Sequence, residues 1–282
     1  MLVRFWGVRG SVASPGPDTA QVGGNTSSVE VTCGDTRIVF DAGTGLRGLG
    51  RELVERGERA KMTLLLSHYH WDHIQGLPFF APVYDKRSEL TIVGGKSGVM
   101  TVGEALRHQM MAPVFPVPLE GVGARLSTRE VDHDDSFYVD EVRVRVARGD
   151  HPGGVVAYRL DHGGASVVYA TDIESRGRID DGLRSLAEGA DILIFDAQYA
   201  PEEYPSKVGW GHSTFVEGAE LARAAGVGTY VLYHHDPSRT DAAVALFEER
   251  ARAHFAKSVA AREGLVLGPS GIVASPRDRS AA

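Results

Sequence analysis

The sequence predicts an α/β protein of one domain, in which short buried strands alternate with amphipathic helices and several strand ends meet along one edge. Two patterns carry this reading. Short apolar runs bounded by glycine turns are interleaved with stretches of helical periodicity, and five of the apolar runs end in a residue of acid-base or metal-binding type. The composition agrees: 282 residues, 43% hydrophobic and 24% charged, suffice for a large core. No repeat and no Ser- or Pro-rich linker divides the chain.

Taken in order, Val3–Val8, Ser28–Cys33 and Thr36–Phe40 read as strands, the last two joined through Gly34-Asp35 as a hairpin. Leu49, Leu53 and Val54 lie at helical spacing within Gly48–Arg59, and the apolar strand Met62–Leu66 follows, giving a strand-helix-strand crossover. The section from about Asp85 to Asp135 is slightly acidic and reads as an insertion that overhangs the site. Beyond it come a strand at Ala165–Ala170, a helix at Gly182–Glu188, a strand at Asp191–Phe195, a helix at Thr214–Ala225 and a strand at Tyr230–Tyr233. Thr214 or Ser213 with Glu217 has capping-box spacing, and Gly226 is placed to close that helix in the left-handed conformation. Val244, Phe247, Ala251, Phe255 and Val259 form one apolar stripe within Thr240–Gly264.

The composition narrows the function. A single cysteine, Cys33, permits no internal disulfide, and the opening residues carry no apolar signal segment, so a cytoplasmic location is expected. No apolar run reaches the length of a spanning helix, and no membrane partner is expected. A net charge of −7 counts against general nucleic-acid binding, which needs a surplus of Lys and Arg on one face.

The five runs end in Asp41, His68, Asp172, Asp196 and His234. Strand ends that share an edge are where α/β folds place their sites. Asp41, ahead of Ala42-Gly43, reads as a turn residue. The strongest signal is His68-Tyr69-His70-Trp71-Asp72-His73, which would arise by chance in roughly one chain in a thousand of this composition. Imidazole and carboxylate together suit Zn²⁺ and similar borderline ions, and alternation puts the rings of His68 and His70 on one side of an extended segment. Asp72 and His73 follow a turn and face elsewhere, which suits a second ion.

At these residues the sequence resembles the metallo-β-lactamase superfamily, and the resemblance runs over almost the whole chain. It implies a four-layer αββα sandwich. It also implies a dinuclear centre in which His68, His70 and His151 hold one divalent ion, Asp72, His73 and His234 hold the other, and Asp172 bridges them. Zn²⁺ is the foremost expectation, with Mn²⁺ or Fe²⁺ as alternatives. His235 competes with His234, and His133 with His151; His108, His162 and His254 read as surface or turn residues.

Within that superfamily, Gly209-Trp210-Gly211-His212-Ser213-Thr214 is similar to the Gly-His-Ser-Thr signature of transfer-RNA 3′-end endonucleases and related phosphodiesterases. The similarity implies that His212 serves at the leaving group, oriented by Asp196, with Asp72 the third residue of the catalytic set. The segments Arg4–Ser11 and Gly23–Ser27 resemble the opening of small bacterial members of the group. No long basic Gly/Lys-rich arm for gripping transfer RNA is visible. The reading is a phosphodiesterase for a small phosphodiester, cyclic or nucleotide-like, in which a hydroxide shared by two ions attacks phosphorus and His212 is the general acid. A homodimer is left open. The alternatives are an endoribonuclease that processes transfer RNA and a metal-binding regulatory protein without catalysis. A thioester hydrolase would have no use for His212.

Overall fold

The computed structural model describes residues 1–96 and 99–275, and among them the chain forms two mixed sheets. The first half supplies β1 (Leu2–Gly7), β2 (Ser28–Cys33), β3 (Thr36–Phe40), β4 (Lys61–Leu66), β5 (Glu89–Gly95) and β6 (Arg125–Val131). The second supplies β7 (Ser136–Val139), β8 (Val142–Gly149), β9 (Val155–His162), β10 (Ala165–Ala170), β11 (Ile192–Asp196), β12 (Thr229–Tyr233) and β13 (Ser258–Ala260). Strands β14 (Val266–Gly268) and β15 (Gly271–Ala274) return to the first sheet, whose order is β15-β14-β1-β2-β3-β4-β5-β6. The other sheet runs β13-β12-β11-β10-β9-β8-β7.

Side-chain alternation sets the layers, because successive residues of a strand face opposite ways. In β3, β4, β10, β11 and β12, one set (Phe40, Leu65, Tyr169, Ile194, Tyr233) meets its counterpart in a core between the sheets. The other set turns outward to helices. Val39, Leu64 and Ile92 pack under Leu46, Leu49 and Leu53 of α1 (Leu46–Glu55). Val168, Leu193 and Leu232 pack under helices on the far side. The result is helix, sheet, sheet, helix: the αββα sandwich. Each fully buried apolar side chain contributes roughly 1.5–3 kcal/mol, against about 0–1 kcal/mol for an exposed ion pair, so this alternation dominates the energetics.

The remaining helices are α2 (Trp71–Ile74), α3 (Val102–Gln109), α4 (Asp181–Ala187), α5 (Phe215–Ala224) and α6 (Asp241–His254). Thr214 and Glu217 form the reciprocal capping box of α5, and Gly226 follows its end at φ 65°. Two expectations are corrected. The section 85–135 is built into the fold and is not an insertion on it: β5 and β6 extend the first sheet in parallel with β4, and Val102 and Leu106 of α3 join the buried core over it, while Lys96, Val99 and Met100 line a cavity beside His68 and His70. Nor does the apolar stripe within Thr240–Gly264 lie on a single element. The stripe ends as α6 stops at His254, and Val259 lies in β13 beside Val231. Its three-and-four spacing runs on through residues that the sheet edge claims for pairing.

Candidate metal centre

Strands β3, β4 and β5 run parallel, as do β10, β11 and β12, so their carboxyl ends open on common edges. Asp41, Asp172 and His234 stand just past β3, β10 and β12, each in the left-handed region with φ 56°, 54° and 59°. Such backbone costs of order 1–3 kcal/mol and persists where its surroundings fix it. Here the sharp turn throws each side chain across the edge instead of along the strand. Hydrogen bonds join the sheets beside it, with Val156 N–H donating to Ser67 O at 3.0 Å and the Tyr158 hydroxyl donating to Leu66 O at 2.8 Å.

Three groups of donor atoms collect there: His68, His70 and His151; Asp72, His73, Asp172 and His234; and, sharing Asp172 and His234 with the second, Asp196 and His212. In the first, His70 Nδ1 lies 3.1 Å from His151 Nε2. In the second, His73 Nε2 and His234 Nε2 are 3.3 Å apart, and each is 3.1–3.2 Å from Asp72 Oδ2. Asp172 faces both groups. Its Oδ1 is 3.4 and 3.2 Å from His73 and His234, and its Oδ2 is 3.7 Å from His68 Nε2.

Outer partners fix which nitrogen of each ring is bare. His73 Nδ1 donates to Asp41 Oδ2 at 2.7 Å, His234 Nδ1 to Gln198 Oε1 at 2.8 Å and His151 Nδ1 to Gly211 O at 2.8 Å. His68 Nδ1 donates to Ser67 Oγ at 3.0 Å, whose own proton goes to Asp41. The Nε2 of His68, His73, His151 and His234 is left as a lone pair pointing inward, the arrangement that orients metal-binding imidazoles, while His70 presents Nδ1. His68 Nε2 is buried with no hydrogen-bond partner at all. Acceptors converging without donors call for a cation, and residues of these types fit a divalent transition metal.

Charge agrees with that fit. Burial lowers the pKa of His68, His70 and His151, keeping them neutral and available as ligands. Burial also opposes charge on His73, yet Asp72, Asp172 and Asp41 raise it well above the usual imidazole range. Asp72, against its own burial, is held far below the carboxylate range by His73 and His234. The carboxylates thus call for positive charge beside His73 Nε2, which a bound cation would supply.

His212 stands beside the second group, its ring stacked on His234 with centroids 5.0 Å apart. Its Nδ1 donates to Asp196 Oδ2 at 2.8 Å. Asp196 also accepts the backbone N–H groups of Asp172, Gln198 and Ser213 at 3.1–3.2 Å. Those four donors occupy its lone pairs, so Asp196 is an orienting residue and has none to spare for an ion. Burial works against a charged His212, but the charge and hydrogen bond of Asp196 outweigh it and raise the imidazole to about 9.

All nine residues expected from sequence therefore meet in one place. His234 does so and His235 does not: the latter is buried with Nε2 on Ala261 O at 3.0 Å. His133 sits apart beside Arg148, its Nδ1 accepting that residue's N–H at 3.3 Å. The turn reading of Asp41 is corrected. It is fully buried and accepts from Ser67 N–H and Oγ–H, His73 and the Tyr169 hydroxyl, all at 2.7–2.9 Å. Its signal was the same run-then-carboxylate pattern that marked Asp172.

Sequence reasoning also missed the opening segment. Ser11 N–H donates to Asp72 Oδ2 at 2.8 Å from a residue at φ 60°. A Cβ on Gly10 would fall 2.4 Å from the His234 ring, so glycine alone lets this loop close on the site. Arg9, fully buried, seats the loop by donating to Gly23 O at 2.8 Å and Arg239 O at 2.6 Å.

The sequence model of the β-lactamase superfamily domain matches residues 36–235, more than half of the chain. The chain belongs to that superfamily. Ribonuclease Z of Mycobacterium sp. (strain KMS) is 29% identical to it over 87% of this chain and 89% of its own length. Among solved structures, the metallo-β-lactamase fold protein YhfI of Bacillus subtilis superposes with a TM-score of 0.70 at 22% identity, covering 95% and 99% of the two chains. A diphosphatase from the PhnP family gives 0.70 at 19% identity over 95% and 97%. As a superfamily member the chain is a hydrolase of the metallo-β-lactamase fold, with a His/Asp cluster for divalent metal.

Asp41 offers a direct check on the outer partners. Asp41→Asn exchanges an acceptor for an amide donor facing His73 and Tyr169, and should weaken metal affinity about 10–100-fold. Competition with a fluorescent chelator measures it.

Proposed function

We propose that this hydrolase is a phosphodiesterase with two divalent ions, Zn²⁺ foremost, acting on a small phosphodiester. His68, His70 and His151 would hold one ion and Asp72, His73 and His234 the other, with Asp172 between them. The observation that carries the reading is the His212–Asp196 pair, an imidazole held at 2.8 Å by a carboxylate beside a set of metal-binding side chains. Ions bound there would supply an acidified water and positive charge opposite the phosphoryl oxygens. The protein's own contribution is a proton. Departure of an alkoxide from phosphorus is slow unless it is protonated, and His212 Nε2 is the group free to deliver that proton while Asp196 holds Nδ1. A thioester hydrolase leaves a thiolate, which needs no such acid.

A second reading, transfer-RNA 3′-end processing, is favoured by the relatives named ribonuclease Z. The net charge of −7 favours the small substrate. Metal-loaded protein should hydrolyse bis-p-nitrophenyl phosphate, lose that activity in chelator, and cleave cyclic or linear dinucleotides without cutting transfer-RNA precursors. Inertness towards all the phosphodiesters refutes the proposal. Precursor cleavage with steeply salt-dependent binding selects the second reading.

A further inference from the structure

Residues 199–214 leave the edge after β11 and return to it, with Tyr199 and Thr214 bridging the ends of the excursion. The tip carries Lys207 and Trp210. The Lys207 ammonium lies 4.1 Å from the Trp210 ring centroid and 5.9 Å from that of Tyr199, whose ring in turn meets His212 edge-on at 5.9 Å. Among the described residues Lys207 has no carboxylate partner. Trp210 is 59% exposed, so with ammonium against one face the other lies open to solvent.

The mounting is rigid. Glu174, itself buried, accepts the N–H groups of Gly209 at 2.7 Å and Gly211 at 3.1 Å, the residues on either side of Trp210, and the Tyr204 hydroxyl at 2.7 Å. Gly211 O then takes the Nδ1 proton of His151. A Cβ at Gly211 would fall 2.1 Å from that nitrogen, so the backbone beside Trp210 is locked to the metal-binding rings. An exposed indole on a clamped backbone, next to an unpaired cation, has no role in the core. It is the pair that recognises an aromatic base and a phosphate.

We propose that Trp210 and Lys207 form a subsite for the leaving group, stacking its nucleobase on the open indole face and pairing a further phosphate with the ammonium. The substrate class is then a phosphodiester whose departing alcohol is a nucleoside phosphate. This rests on the reading of His212 as general acid, which puts its neighbours Trp210 and Lys207 on the leaving side.

The test uses two dinucleoside phosphodiesters that differ only in the leaving half, adenosine in one and an abasic ribose in the other. Trp210→Ala should lower kcat/KM on the adenosine substrate about 5- to 100-fold, the equivalent of roughly 1–3 kcal/mol per stacked base, and leave the abasic one within twofold. Lys207→Gln should cost about 2- to 5-fold only when the leaving nucleoside bears an extra phosphate. Independently of turnover, AMP should quench the tryptophan fluorescence of the parent and of Trp71→Phe but not of Trp210→Ala, and ribose 5-phosphate should quench none of them. Equal losses on both substrates, or an AMP quench that survives Trp210→Ala, overturn the subsite. A parent that binds AMP through Trp210 yet cleaves no phosphodiester upholds the subsite and refutes the proposed activity.

Discussion

Asp172→Gly should cost the protein metal and activity together. Asp172 is the one side chain whose two oxygens face both donor groups, 3.2–3.4 Å from His73 and His234 and 3.7 Å from His68. Its φ of 54° makes glycine the cleanest substitution, since glycine keeps that backbone without strain and removes only the carboxylate. Outer partners of a metal site cost about 10–100-fold, so loss of a bridge should exceed about 10²-fold in affinity. Elemental analysis should find at most one ion per chain. The thermal shift also tests it: an ion at 100 times its Kd stabilises a folded protein by about 2.7 kcal/mol, and that gain in the parent should vanish in the variant. Two ions per chain and an unchanged shift would remove Asp172 from the centre.

His212→Ala should keep both ions and lose about 10²–10⁴-fold in turnover of an alkyl phosphodiester, the range of a positioned general acid. With p-nitrophenyl esters the loss should be small, because that anion leaves without a proton. Asp196→Asn should show the same selectivity more mildly, with the ring present but poorly held. Equal losses on both esters at intact metal content mean that His212 binds substrate and delivers no proton. Asp196 also accepts the Asp172 and Ser213 N–H groups, so its variant needs a metal count beside each rate.

Much of this was legible because strand-end chemistry is local. Runs such as Val167–Ala170 before Thr171-Asp172 announce both a buried strand and what stands at its end, and His68–His73 compresses four donors into six residues. What escaped depends on partners far along the chain. Asp41 looks like any turn aspartate until Tyr169, 128 residues away, reaches its carboxylate. Gln198 and Glu174 carry no sequence signal, since an amide or carboxylate in a loop acquires a role only from the groups packed against it. The stripe in 240–264 crosses from α6 to β13 unannounced, because an apolar stripe cannot reveal where edge pairing takes over. Strand β6 was lost for the opposite reason. In β6 only Val131 is fully buried, so the usual apolar run is missing.

The seating of Arg9 bears on how the centre comes into being. Its guanidinium reaches Arg239 O across 230 residues, and the loop it anchors is the one that delivers Ser11 N–H to Asp72. A nascent chain still on the ribosome at residue 200 has His68, His70, His151 and Asp172 but neither His234 nor the Arg239 carbonyl that holds Arg9. Completion of the group that contains His234 must therefore wait for the last sixth of the polypeptide and a long-range closure, the slow kind of step. An ion held by His234 would load only after that closure.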